Sequence, residues 1–249
     1  MKKYVALFLA VFLLLAVFTG CAFMGNVSGV ARFEAIDENE IEFIQMQPPQ
    51  PGDKIGVIET SMGTIKFRLF PVQSPLAVEN FTKMAETGKY TDYVAYKITT
   101  KRAFIAAKND GSGMSVYGEP FANQYSPKLW NFPGAVGSIS DQPEKGDSRF
   151  YIVGNCEISD QIFAEMKQNN FPQKVISQYE QVGGCPELDW ACNIFGQVFE
   201  GLEIVDAING AETDEQVFPK EEIKILSVRV EIYESEESSS EPVSAGDEA

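Results

Sequence analysis

The stretch AYKITTKRAFIAAKND, residues 95–110, sets three cations, Lys97, Lys101 and Arg102, among Ile98, Phe104 and Ile105. Such a mixture has two readings. It lines a site that donates to a polar group of a substrate, or it is a strand pair with a charged turn. The chain contains no histidine, so the commonest general base is missing and any chemistry must run on other donors. Four cysteines are present. Cys156, Cys185 and Cys192 fall within one stretch; being odd in number, they permit at most one bridge among themselves. Their spacing, with no histidine nearby, does not make a zinc site, and no metal or cofactor is expected.

The formal net charge of −16 and the pI of about 4.4 speak against a phosphate-backbone ligand, so no nucleic acid is expected. The 44% hydrophobic content is enough for a folded core. Residues 1–20 have the layout of an export signal: Lys2 and Lys3, then an apolar run from Tyr4 to Val17, then small residues. An uncleaved anchor is the other reading, but the run is short against the ~20 residues of a spanning helix. FTGC, ending at Cys21, resembles the lipobox of bacterial lipoproteins, although Phe18 replaces the usual aliphatic residue. That resemblance implies lipidation of Cys21, which becomes the new N-terminus and holds the chain on the outer face of the cell membrane. Residues 21–52, with the proline-rich MQPPQPGD, read as a membrane-proximal linker. The acidic, serine-rich tail 234–249 lacks the apolar residues to offset ordering entropy and is expected to be disordered.

Between them, 53–233 reads as one folded unit. Ile65, Phe67 and Leu69 alternate with Lys66 and Arg68, marking a strand with one buried face, and Ser61–Gly63 turns it into a hairpin. Ser74, Pro75 and Gly88 bracket a helix whose apolar side is Leu76, Val78, Phe81 and Met84. Strands follow at about 94–99, 103–107, 136–140 and 150–153. An insertion, about 157–186, carries two helical faces: Ile162, Phe163 and Met166, and then, after Pro172, Val175, Ile176, Tyr179 and Val182. LEIVDAING reads as a last helix, and EIKILSVRVEIY as a last strand with Leu226, Val228, Val230 and Ile232 on one face. Many short strands with few helices predict a mainly β fold, a closed antiparallel barrel.

Several of these segments together resemble the cyclophilin-type peptidyl-prolyl isomerases. The resemblance runs over about 54–233, through GVIETSMGTIKFRLFPVQSPLAVENFTKMAETGKY, YGEPF, PGAVGSIS, DSRFYIV and LDWACNIFGQVFEGLEIVDAI. It implies an eight-stranded antiparallel barrel capped by two helices, and a helical insertion similar to that of bacterial members. It also implies an activity: rotation about the bond before proline, against an amide barrier of about 18–20 kcal/mol, with neither proton transfer nor covalent chemistry.

Residue by residue, the resemblance places Lys97 where the family's catalytic arginine stands and Tyr96 where it has histidine. Phe104 matches the aromatic floor of the proline pocket, Ile105 a neighbouring methionine, and Ala107 a glutamine. Arg149 replaces a second glutamine and Tyr151 a pocket phenylalanine. Ile139 replaces a small alanine and Ser140 a peptide-contacting asparagine. Glu187 falls at a tryptophan position linked to cyclosporin, so cyclosporin binding is expected to be weak or absent. Leu188 is kept, and Cys192 replaces a pocket-edge histidine. Arg102 and Arg149 are candidate substitute donors. Two functions follow: an isomerase acting on proline-containing segments of exported proteins, or a cyclophilin-like lipoprotein that binds peptide or protein with weak or no turnover.

Overall fold

The computed structural model describes residues 30–34, 36–99 and 102–234. The segment read as an export signal, Cys21, Lys101 and the tail beyond Glu234 lie outside them. Ten strands appear in chain order among the described residues: β1 Lys54–Thr60, β2 Gly63–Leu69, β3 Tyr93–Thr99, β4 Ala103–Lys108, β5 Phe121–Ala122, β6 Ala135–Ile139, β7 Lys145–Gly146, β8 Arg149–Val153, β9 Asn193–Glu200 and β10 Ile225–Ile232. The helices are α1 Pro75–Glu86, α2 Asp160–Gln168, α3 Gln173–Val182 and α4 Leu202–Asn209, with 3-10 turns at Ile44–Met46 and Pro186–Leu188.

Eight strands form one antiparallel sheet in the order β10-β1-β2-β9-β6-β8-β4-β3, and β5 pairs with β7 apart from it. The mainly β class and the antiparallel sheet agree with the sequence, but closure does not. The edge strands β10 and β3 meet through one isolated bridge, Val94 to Lys224, and through Ala95 N–H donating to Ile223 O at 2.9 Å. The sheet is a curled half-barrel whose seam is a cleft flanked by Thr91, Lys108, Asp110 and Glu222. Ladder pairing between β3 and β10 would join segments far apart in the chain, a feature that local alternation does not report.

Alternation sorts side chains onto two faces. Ile65, Phe67, Phe104, Phe150 and Ile152 point inward and pack under α1 and α4. Phe67 takes the room left by two glycines: a Cβ on Gly56 would stand 2.4 Å from its ring, and one on Gly196 2.5 Å. In β10 the expected face is interrupted. A register shift at Glu59/Thr60 pairs Ser227 with Glu59 and then Ile225 with Thr60, skipping Leu226. Ile225 is therefore buried while Leu226 stays 54% exposed, and Val228 and Val230 still pack on the core. Ser74 occupies the N-cap position of α1 without capping it. Its hydroxyl donates instead to Ile194 O and to Asn193 Oδ1, tying the helix to β9.

The insertion folds as read, with Met166, Val175, Ile176 and Tyr179 buried against Trp130 and Phe132. Within the segment expected to be a linker, Val30, Phe33, Ile36, Ile41 and Phe43 pack into this second core, while the proline-rich stretch that follows is mostly exposed. Phe33 lies edge-on to Phe171 at 4.5 Å and to Trp190 at 5.1 Å between ring centroids. Gln45 Nε2 donates to Trp130 O and to Gln197 Oε1, both at 2.8 Å, while Trp130 N–H donates to Gln45 Oε1. Phe67→Ala should cost about 3–5 kcal/mol of stability. Urea unfolding of the variant checks this, since neither Gly56 nor Gly196 carries a side chain to fill the void.

Candidate active site

The outer face of the sheet carries the site. Register alone lines up one row across five strands: Lys97 opposite Ile105, Ile105 opposite Tyr151, Tyr151 opposite Gly137, and Gly137 opposite Ile194. A Cβ on Gly137 would stand 2.2 Å from Tyr151 Cζ, so the absent side chain lets the Tyr151 ring lie flat on β6. Around that ring pack Ile105, Ile139, Leu188, Cys192, Leu129 and Ile194. Leu188 arrives from the 3-10 turn after the insertion, and Ala191 and Cys192 N–H groups donate to Leu188 O to close that turn. The walls are tightly packed: Ile105, Ile139 and Leu188 are each 6% exposed.

Phe104 is not among them. The alternation that turns Ile105 outward turns its neighbour inward, so Phe104 sits in the inner core, fully buried beside Ile98 and Ile152.

A buried polar chain fixes Tyr151 from behind. Its hydroxyl donates to Asn131 Oδ1 at 2.7 Å. Asn131 N and Nδ2 both donate to Asp189 Oδ1 at 2.8 Å, and Tyr179 OH donates to Asp189 Oδ2 at 2.7 Å. Burial pushes the Asp189 carboxyl up to about 7, outweighing these donors, which favour its charged form. Burial likewise raises the Tyr151 and Tyr179 phenols well above their ordinary value, keeping both as neutral donors. Neither Asn131 nor Asp189 was singled out from the sequence. The apolar frame around Asp189, with Leu188 before it and Trp190 after it, was the available signal.

The cations are distributed differently from what the sequence suggested. Arg149 lies at the end of the outer face, but its guanidinium is taken. Nη2 donates to Asp147 Oδ2 at 2.6 Å, Nε reaches both Asp147 oxygens at 3.1 Å, and Nη1 donates to Asp141 at 3.0 Å and to Gly111 O at 3.2 Å. Asp147, two residues earlier, is itself buried. Arg102 is paired with Glu187 and donates to Gly184 O at 2.6 Å. It thus clasps the β3–β4 turn to the 3-10 turn that bears Leu188. Ser140 is buried, and its hydroxyl donates within its own turn, to Gln142 O at 2.9 Å and Lys145 O at 3.0 Å. Lys97 keeps its place in the row, with Nζ 5.0 Å from the Phe218 ring centroid and 5.9 Å from that of Tyr96. Ring faces attract a cation without consuming its N–H donors. Cys192 is buried, and burial raises its thiol to about 12, so it acts as a small apolar wall. No group of three or more possible metal ligands occurs among the described residues.

The fold, a sheet of this order with helices over its inner core, has counterparts among known proteins. A family model described as "Cyclophilin type peptidyl-prolyl cis-trans isomerase/CLD" matches residues 56–230. The chain belongs to the cyclophilin-type peptidyl-prolyl cis-trans isomerases. It is 31% identical over 199 residues to a "Putative bifunctional phosphatase/peptidyl-prolyl cis-trans isomerase" of Streptococcus pyogenes, a match covering 78% of this chain and 42% of that one. The chain thus spans less than half the length of that relative. A "Putative peptidyl-prolyl cis-trans isomerase" of Staphylococcus saprophyticus is 28% identical over 177 residues, covering 70% of this chain and 90% of its own. Among solved structures, a Cryptosporidium parvum cyclophilin-type isomerase shares the fold, with a TM-score of 0.58, 22% identity, and coverage of 73% of this chain and 99% of that one.

The Asp189 network generates a pH dependence. A carboxyl whose folded value is raised to about 7 binds a proton in the folded state that the unfolded chain has already released. Between about pH 5 and 7 its contribution therefore falls as pH rises. Melting temperature should decline across that window. Asp189→Asn, which cannot ionise, should flatten the decline, and thermal scans at several pH values measure it.

Proposed function

We propose that this chain is an isomerase of Xaa–Pro bonds in exported proteins, held by lipid on Cys21 at the outer face of the cell membrane. The observation that carries the catalytic part is the register row, which sets Lys97 beside the apolar floor of Ile105 and Tyr151. A proline ring docked over that row, at the exposed edges of Ile105, Ile139 and Leu188, would bring its amide toward the lysine. Rotation needs a donor that binds the twisted amide better than the planar one. Lys97 is assigned that role. Family membership and the relatives named as isomerases support the reaction class. A second Cryptosporidium parvum cyclophilin structure, obtained in the presence of the dipeptide Ala-Pro, has the same fold at 23% identity and a TM-score of 0.56. That is consistent with a proline peptide as ligand. Cyclosporin binding is weak or absent in this reading, because Glu187 replaces the family's tryptophan.

A second reading has its own observation. Both arginines named as substitute donors are locked, Arg149 by Asp147 and Asp141, and Arg102 by Glu187. An ammonium is a hydrated point charge, not a planar fork, and each 1.4 kcal/mol of lost transition-state binding is about tenfold in rate. The protein then binds proline segments with little turnover.

Full-length protein in detergent, assayed on a short Xaa–Pro peptide, separates the two. Isomerisation above background is expected, and Lys97→Ala should lower kcat/KM by about tenfold or more. A background rate from a chain with native circular dichroism selects the binding reading. For the anchor, Cys21→Ser should abolish incorporation of labelled fatty acid and release the protein from the membrane fraction; continued acyl labelling contradicts it.

A further inference from the structure

Cys156 leaves the end of β8, and Cys185 opens the 3-10 turn that carries Glu187 and Leu188. Their sulfurs stand 3.6 Å apart. Their backbones are already joined side by side, since Gly184 N–H donates to Cys156 O at 3.0 Å. Cys185 N–H is pinned in turn by Asn131 O at 2.8 Å. The two thiols therefore meet on a fixed pair of chains, and rotation about the Cα–Cβ bonds is the movement left to bring the sulfurs to bonding distance. We propose that Cys156 and Cys185 are a redox dithiol whose disulfide locks the 3-10 turn onto the sheet, with Cys192 left as a thiol.

The two thiols have different environments. Cys156 is partly exposed, and it sits at about 7 chiefly through its hydrogen bond with the Cys185 thiol, with Arg102 alongside adding to the effect against burial. Cys185 is buried, and its thiol is raised well above the ordinary value, chiefly through the same hydrogen bond. Cys156 is thus the attacking sulfur and Cys185 the resolving one. The oxidant is a low-molecular-weight disulfide. The Cys156 thiolate attacks one of its sulfurs and expels the first thiolate. Cys185, giving up its proton, then attacks the Cys156 sulfur and expels the second. Two protein thiols are oxidised, one small disulfide is reduced to two small thiols, and no other reactant enters.

The pair sits where it bears on the outer row. Cys185 packs in the same apolar cluster as Tyr151, Leu188 and Ile105. Arg102, which touches Cys156, also pairs with Glu187 in the turn that the disulfide would hold. Bond formation is independent of the isomerase reading. Its consequence for peptide binding, a fixed Leu188 wall, rests on that reading.

The test uses the full chain carrying Cys21→Ser, equilibrated with oxidised glutathione, alkylated without reduction and digested. Asp189 lies between Cys185 and Cys192, so an aspartate-directed protease together with trypsin gives each cysteine its own peptide. A Cys156–Cys185 cross-linked peptide with alkylated Cys192 is expected. The melting temperature should rise by roughly 5–10 °C on oxidation and return on reduction. Cys156→Ser should abolish both the link and the shift. A bridge that includes Cys192 overturns the assignment, and so do three alkylated thiols in the natively folded, oxidant-treated chain. A redox shift that survives in Cys156→Ser overturns it as well. The map is read on the chain with all three cysteines in place, so it stands even if the serine variant fails to fold.

Discussion

The carboxyl of Asp189 is the point on which two halves of the molecule meet. It takes two hydrogen bonds from Asn131 and one from Tyr179, deep among apolar side chains. Through Tyr179 it holds the second helix of the insertion. Through Asn131 it holds Tyr151, whose ring is the floor of the outer row. A buried polar group left without partners costs more than a paired one returns. The insertion, the loop before β6 and the 3-10 turn are therefore committed to one arrangement together. The helical insertion is in this sense a part of the site, since it orients the aromatic floor without touching a substrate.

Much of the fold was legible because local period reports local structure. The hairpin of β1 and β2, the helix from Pro75, both helices of the insertion and β3, β4, β6 and β8 all fall within a residue or two of where alternation and turn chemistry put them. What escaped depends on distant parts of the chain. The open seam between β3 and β10 is set by sheet curl. The skipped Leu226 follows from a shift at Thr60 on a strand far away in sequence. The packing of Phe33, Ile41 and Phe43 onto the insertion has no period at all, because that segment is neither helix nor strand and its aromatics fill gaps one at a time.

The grouping of the apolar candidates was legible in the sequence, and the pairing of the charged ones was not. Ile105, Tyr151 and Ile139 share one sheet face and one cluster, which Leu188 and Cys192 join from the turn before β9. Arg149 was a candidate donor because nothing in the sequence showed that Asp147, two residues upstream, would be buried with it and pair with it. Burying an arginine demands a partner, and the same two carboxylates that make its burial possible withdraw it from any substrate. In the proposed reading the donor is then Lys97, held over the Tyr96 and Phe218 rings, a cation stabilised without being neutralised.

The docking of the N-terminal segment changes what a lipid on Cys21 would mean mechanically. Since the chain is already fastened to the folded body at Phe33 and Gln45, the free length between an anchor at Cys21 and Val30 spans only about 30 Å at full stretch. That is comparable to the size of the domain itself. With such an anchor, the body would not roam or turn over freely. It would present the same side to the bilayer most of the time, and its working radius would be confined to chains emerging close by.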